Sequence, residues 1–90
     1  MRPAGEVLDP AAESLFEALR RHRLGVARAH GVPPYVVASD RTLRDIAQMR
    51  PRNREELLLA HGIGPAKAKR FGAGLLSVVS AAGGSSSGAR

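Results

Sequence analysis

Cysteine is absent from the 90 residues, which excludes a disulfide framework and any thiolate metal site and suits a reducing, intracellular setting. Aromatic residues are nearly absent: Tyr35 stands alone, with no tryptophan and only two phenylalanines. No apolar run approaches the ~20 residues that a membrane span needs. The opening Met1-Arg2-Pro3-Ala4-Gly5-Glu6 has one basic residue and no apolar segment behind it, so it does not read as a secretory signal. These absences predict a soluble, cytoplasmic protein with no membrane partner. Catalytic patterns are missing too. No Gly-x-x-x-x-Gly-Lys-Ser/Thr loop is present, so ATP hydrolysis by the usual phosphate cradle is excluded. His22, His30 and His61 lack metal-ligand spacing, Asp45 and Glu55-Glu56 form no acid–base pair, and Ser85 to Ser87 have no companion base. The expectation is a non-enzymatic chain with no catalytic residue, metal or cofactor.

What the chain does have is positive charge. Fourteen Lys and Arg against eight Asp and Glu leave +6. Lys67 and Lys69 are the only lysines, so the basic character is almost all arginine. The planar guanidinium fork donates paired hydrogen bonds to phosphate, and a small basic domain suggests a polyanionic partner. A solvated charged face that merely maintains solubility is the alternative. Ninety residues suffice for one domain, which buries roughly two-thirds of its unfolded surface around a single core.

Residues 1–8 lack periodicity and are expected to be a disordered or linking N-terminus; 83–90 are expected to be a flexible Gly/Ser tail. Between them, residues 9–82 carry helical signals. Asp9-Pro10 forms an N-cap and first position. Ala12, Leu15, Phe16, Leu19, Val26, Ala27 and His30 follow as an apolar stripe interrupted near His22 and Arg23. Glu17 and Arg21 have the spacing of a helical ion pair. Gly25 within this helix marks an expected close helix–helix approach, and Gly31 stops the helix. Val32-Pro33-Pro34-Tyr35-Val36-Val37 reads as an extended connection whose valines reach the core. Ser39 or Asp40 caps a second helix bearing Leu43, Ile46, Ala47 and Met49, ending before Pro51. Asn53 with Glu56 resembles a capping box opening a short helix. Pro65 begins the last helix, running to about Ala82 with Phe71, Leu75, Val78 and Val79 buried. Gly72 and Gly74 imply another backbone packed against it. The expected fold is all-α: a compact orthogonal bundle of about five short helices.

The most specific segment is Leu57 to Gly72, a short helix, a Gly62-Ile63-Gly64 hairpin, and a helix begun by Pro65. Glycines allow positive φ and close approach by a ligand, and a helix N-terminus presents N–H groups to an anion. Lys67, Lys69 and Arg70 follow within two turns. Such a helix–hairpin–helix can hold phosphate or can simply close a turn. Tyr35, behind two prolines, can stack on an unpaired base or pack over the edge of the core. Of the arginines, Arg20, Arg21, Arg23 and Arg28 lie along the first helix. Arg41, Arg44, Arg50, Arg52 and Arg54 surround the second, and this group is favoured for binding because it adjoins the hairpin in sequence.

The order of these segments, LFEALRRHRLGVARAHG, VPPYVVASDRTLRDIAQMRPRN and GIGPAKAKRFGAGLLSVV, resembles the HRDC (helicase and RNase D C-terminal) domain over residues 12–82. It looks closest to the copies in bacterial RecQ-family DNA helicases, and the Gly/Ser tail suits a C-terminal copy. The resemblance implies an accessory bundle in an ATP-dependent helicase, weakly binding single-stranded or partially duplex DNA and tuning substrate choice in repair and recombination. Its implied partners are DNA and the helicase core of the same polypeptide, its state monomeric and its place the bacterial nucleoid. Tyr35 matches the aromatic after two prolines, and Lys67 and Arg70 match polar or basic positions after the hairpin. The expected DNA-binding set is Tyr35, Arg41, Arg44, Arg52, Arg54, Gly62, Gly64, Lys67, Lys69 and Arg70. A protein-docking or regulatory module, or an RNA-holding domain in an RNase D-like protein, is the alternative.

Overall fold

The first helix starts where Asp9 and Pro10 predict it. In the computed structural model, which describes residues 8–87, α1 spans Pro10–His30. The Asp9 carboxylate accepts the Ala12 N–H at 2.7 Å, satisfying one of the donors every helix start leaves open. At the other end Gly31 takes φ 67°. The Gly31 N–H donates to the Arg28 carbonyl and the Val32 N–H to that of Ala27, the paired closure of a Schellman motif.

The Pro-Pro segment departs from the extended reading. Pro33 is extended, but Pro34–Val37 form a one-turn helix, α2. Proline at the first helical position lacks only an N–H that would have had no partner there, and its fixed φ already suits a helix. The valines do reach inward, with Val37 buried and Val32 packed against the core. Next, α3 spans Asp40–Met49 with Ser39 accepting the Thr42 N–H. It is closed by Arg50 in the left-handed region at φ 50°. Helix α4 is the single turn Arg54–Leu57, capped by Asn53 through the Glu56 N–H. The return bond of the capping box lands one residue earlier than expected: Glu56 accepts from the Arg52 N–H at 2.8 Å. The last helix, α5, spans Pro65–Ser87, continuing past the expected end near Ala82. Residues 1–7 of the expected N-terminal linker and 88–90 of the expected tail lie outside the described residues.

These five helices, with no strand among the described residues, form an all-α bundle. Its radius of gyration, 12.7 Å, is close to the ~12 Å expected of a compact 90-residue chain. Helix α1 is the spine, packing against α2, α3 and α5, while α4 packs on α5. Leu19, Leu43, Ile46, Leu57 and Leu75 are wholly shielded from solvent, each contributing about 1.5–3 kcal/mol by its burial.

The interruption in the α1 stripe is structural. The His22 ring lies against Gly74 of α5, where an added Cβ would stand 2.7 Å from Nε2. Gly72 faces Leu57 in the same way, at 3.3 Å. Gly72 and Gly74 thus receive side chains, where a second backbone was expected. The Arg23 side chain, only 12% exposed, reaches Asp40 at 2.8 Å and the Ala38 carbonyl at 3.0 Å, joining α1 to the start of α3. Two expectations on α1 fail. Gly25 is exposed and has open space around it, so no helix approaches there. Glu17 pairs with Arg20 at 3.4 Å and not with Arg21, since i,i+3 neighbours compete for the same carboxylate.

Candidate nucleic-acid interface

Tyr35 is thrust outward by its neighbours. Pro33 is held extended, Pro34 starts the α2 turn, and the buried Val37 and Ala38 fix the turn to the core. The ring between them is 72% exposed, so packing over the core edge is not its arrangement. Beside Pro34 runs a groove of about 340 Å³ lined by Glu17, Arg20, Arg21, Arg23 and Leu24. Leu24 is itself exposed, giving the groove an apolar patch amid arginine. One turn back along α1, Phe16 carries two guanidiniums: Arg20 at 5.8 Å and Arg44 at 5.5 Å from the ring centroid.

The hairpin lies on the other flank of α3. Gly62 takes φ 78° and touches Thr42, the His61 N–H donates to Asp45 at 2.7 Å, and Ile63 is buried, as its inward role predicts. Positive φ is required at Gly62 only; Gly64 has no such conformation and open space around it. After the turn, Lys69 is exposed and Lys67 half-buried. Arg70 leans over the Phe71 ring at 5.0 Å and meets His30 Nδ1 at 3.4 Å.

The expected residues therefore fall on two flanks. Arg44 does not adjoin the hairpin. It lies roughly 200° around α3 from Thr42, and its contact is Phe16 of α1. Arg41 is exposed on α3 and Arg54 at the start of α4, while Arg52 is held loosely by Glu56 at 3.8 Å. Arg20, Arg21 and Leu24 were outside the expected set, yet they line the groove that reaches Pro34, the residue before Tyr35. The available signal is the i, i+4, i+8 series Phe16, Arg20, Leu24, one edge of the apolar stripe.

Burial lowers the His22 pKa below the usual histidine value, leaving a neutral ring at the α1–α5 contact. Among the described residues no cluster of three or more His, Cys, Asp or Glu can hold a metal ion. No helix among them is long and apolar enough to cross a membrane.

Residues 12–79 match the HRDC domain family. The ATP-dependent DNA helicase RecQ of Bacillus subtilis is 43% identical over 60 residues, 67% of this chain and 10% of that protein. The ATP-dependent DNA helicase UvrD2 of Mycobacterium tuberculosis is 37% identical over 67 residues, 74% of this chain and again 10% of the relative. Among solved structures, the D. radiodurans RecQ HRDC domain 3 superposes with a TM-score of 0.75 at 28% identity, covering 78% of this chain and 92% of that one. The chain spans about a tenth of the length of the curated relatives it matches.

Proposed function

Because the chain belongs to the HRDC domain family, we propose that it is an accessory, sequence-tolerant DNA-binding module of a RecQ-type helicase and performs no catalysis itself. The observation that carries this reading is Tyr35, a solvent-exposed ring on the residue that follows Pro34, which closes one end of an arginine-lined groove. A base stacks on the ring while phosphates pair with Arg20, Arg21 and Arg41; Lys67, Lys69, Arg70, Arg52 and Arg54, with the Gly62–Gly64 turn, offer further contacts on the hairpin side. With few contacts, affinity is weak and salt-sensitive, the log–log slope being about −0.7 per phosphate neutralised on a single strand.

Titration of a labelled single-stranded oligonucleotide at two salt concentrations tests this. Tyr35→Ala should weaken binding by about 1–3 kcal/mol with an unchanged thermal midpoint. Binding indifferent to salt, or a variant that binds like the parent, refutes the reading. Comparing Lys67→Glu with Arg44→Glu locates the dominant flank.

A second reading, docking on the helicase core of the same polypeptide, is favoured by Leu59, 77% exposed next to the partly exposed Leu58. NMR shifts confined to these leucines on adding the core would select it.

A further inference from the structure

We infer that Arg20 and Arg44, held on the Phe16 ring, form a clamp for the phosphodiester backbone of a nucleic acid. The inference rests on the nucleic-acid reading above and names the groups that grip the backbone. Both guanidiniums lie within cation–π distance of one ring, although they come from different helices and repel each other. The attraction of a ring face offsets that repulsion and leaves the in-plane N–H edges of each fork free for bidentate contact with phosphate oxygens. Arg44 has no salt bridge among the described residues. Arg20 has only the exposed Glu17, at 3.4 Å, a contact that an incoming phosphate displaces. The pair is therefore a local excess of positive charge gathered on one ring. A polymer is the fitting source of the phosphate because the groove containing Arg20 continues along α1 to Leu24 and Pro34, the residue before the exposed Tyr35. A strand gripped at Phe16 can thus lay a base on that ring.

The test is the salt dependence of oligothymidine binding by the intact chain and its variants. Arg20→Gln and Arg44→Gln should each reduce the log–log slope by up to about 0.7. Phe16→Leu, which keeps an apolar side chain but frees both guanidiniums, should weaken binding with both arginines present. Glu17→Gln should tighten binding by about two- to five-fold, the worth of an exposed ion pair. Should Phe16→Leu fold poorly, the three polar variants still decide the matter. Unchanged slopes in both arginine variants, with Tyr35→Ala still impaired, overturn the clamp and leave the DNA-binding reading standing. No binding by the unaltered chain overturns both. Inorganic phosphate should leave the Arg20 and Arg44 side-chain resonances unmoved where oligothymidine shifts them; equal, saturable shifts overturn the assignment to a polymer.

Discussion

Gly62→Ala separates the architectural hairpin glycine from its neighbour. Two costs meet at this position. The left-handed backbone, φ 78°, costs a residue with a Cβ about 1–2 kcal/mol. That Cβ would also stand 2.6 Å from Thr42 Oγ1. Thr42 cannot easily yield. It is 3% exposed, β-branched, and its hydroxyl lies 3.0 Å from the Ser39 hydroxyl that caps α3. Moving it sacrifices that contact, so overpacking adds about 1–3 kcal/mol. The sum, about 2–5 kcal/mol, is a large part of the roughly 5–13 kcal/mol expected for a 90-residue domain. Gly64→Ala is the control, with no positive φ and free space, and should stay within about 0.5 kcal/mol of the parent. Urea denaturation of both variants measures the difference, and the Gly62 variant should lose at least ~8 °C of thermal midpoint. Adding Thr42→Ser, which removes a methyl and frees the hydroxyl to rotate, should recover the steric part but not the backbone part. A Gly62→Ala protein as stable as the parent, or a Gly64→Ala protein equally damaged, refutes the reasoning.

Gly25→Ala should stabilise the domain by about 0.5–1 kcal/mol, because position 25 is exposed and open; a loss in urea denaturation would mean an overlooked contact. His22 has a depressed pKa in the folded state, so the unfolded chain binds more protons between that value and the ordinary 6.5. Stability is therefore full above 6.5, falls as pH drops through this window, and levels off below the folded value. His22→Gln should flatten this part of the stability–pH curve. Arg23→Met keeps the stem but leaves Asp40 and the Ala38 carbonyl without their donor, and should cost about 1–3 kcal/mol by thermal denaturation. Asp40→Asn should cost under ~1 kcal/mol, since Asp40 is largely solvated.

The helix ends were legible because their causes are local: Asp9, Ser39 and Asn53 each bond an N–H three residues ahead, and Gly31 closes α1 with its own neighbours. Pro34 was misread because a proline that interrupts a helix and one that begins it are the same letter; the free N–H count of the first turn decides. Gly25 and Gly74 look alike in sequence, yet only Gly74 has a partner, the His22 ring from a distant helix. Arg23 read only as one of four arginines along the first helix for the same reason, its acceptors lying across the α2 turn. The proline-led setting singled Tyr35 out, but whether its ring packs on the core or faces solvent was open until the α2 turn placed it outward. Arg44 was not, because nearness along the chain says nothing of which way a helix turns a side chain, and its partner Phe16 belongs to α1.

That placement of Arg44 and Thr42 on opposite flanks of α3 bears on valency. A ligand confined to the groove at Pro34 engages that flank alone. A longer polymer that is already held at one flank meets the other at an effective concentration set by the slack between them. Affinity should then rise stepwise with strand length once the strand can pass around α3, without any single contact becoming stronger.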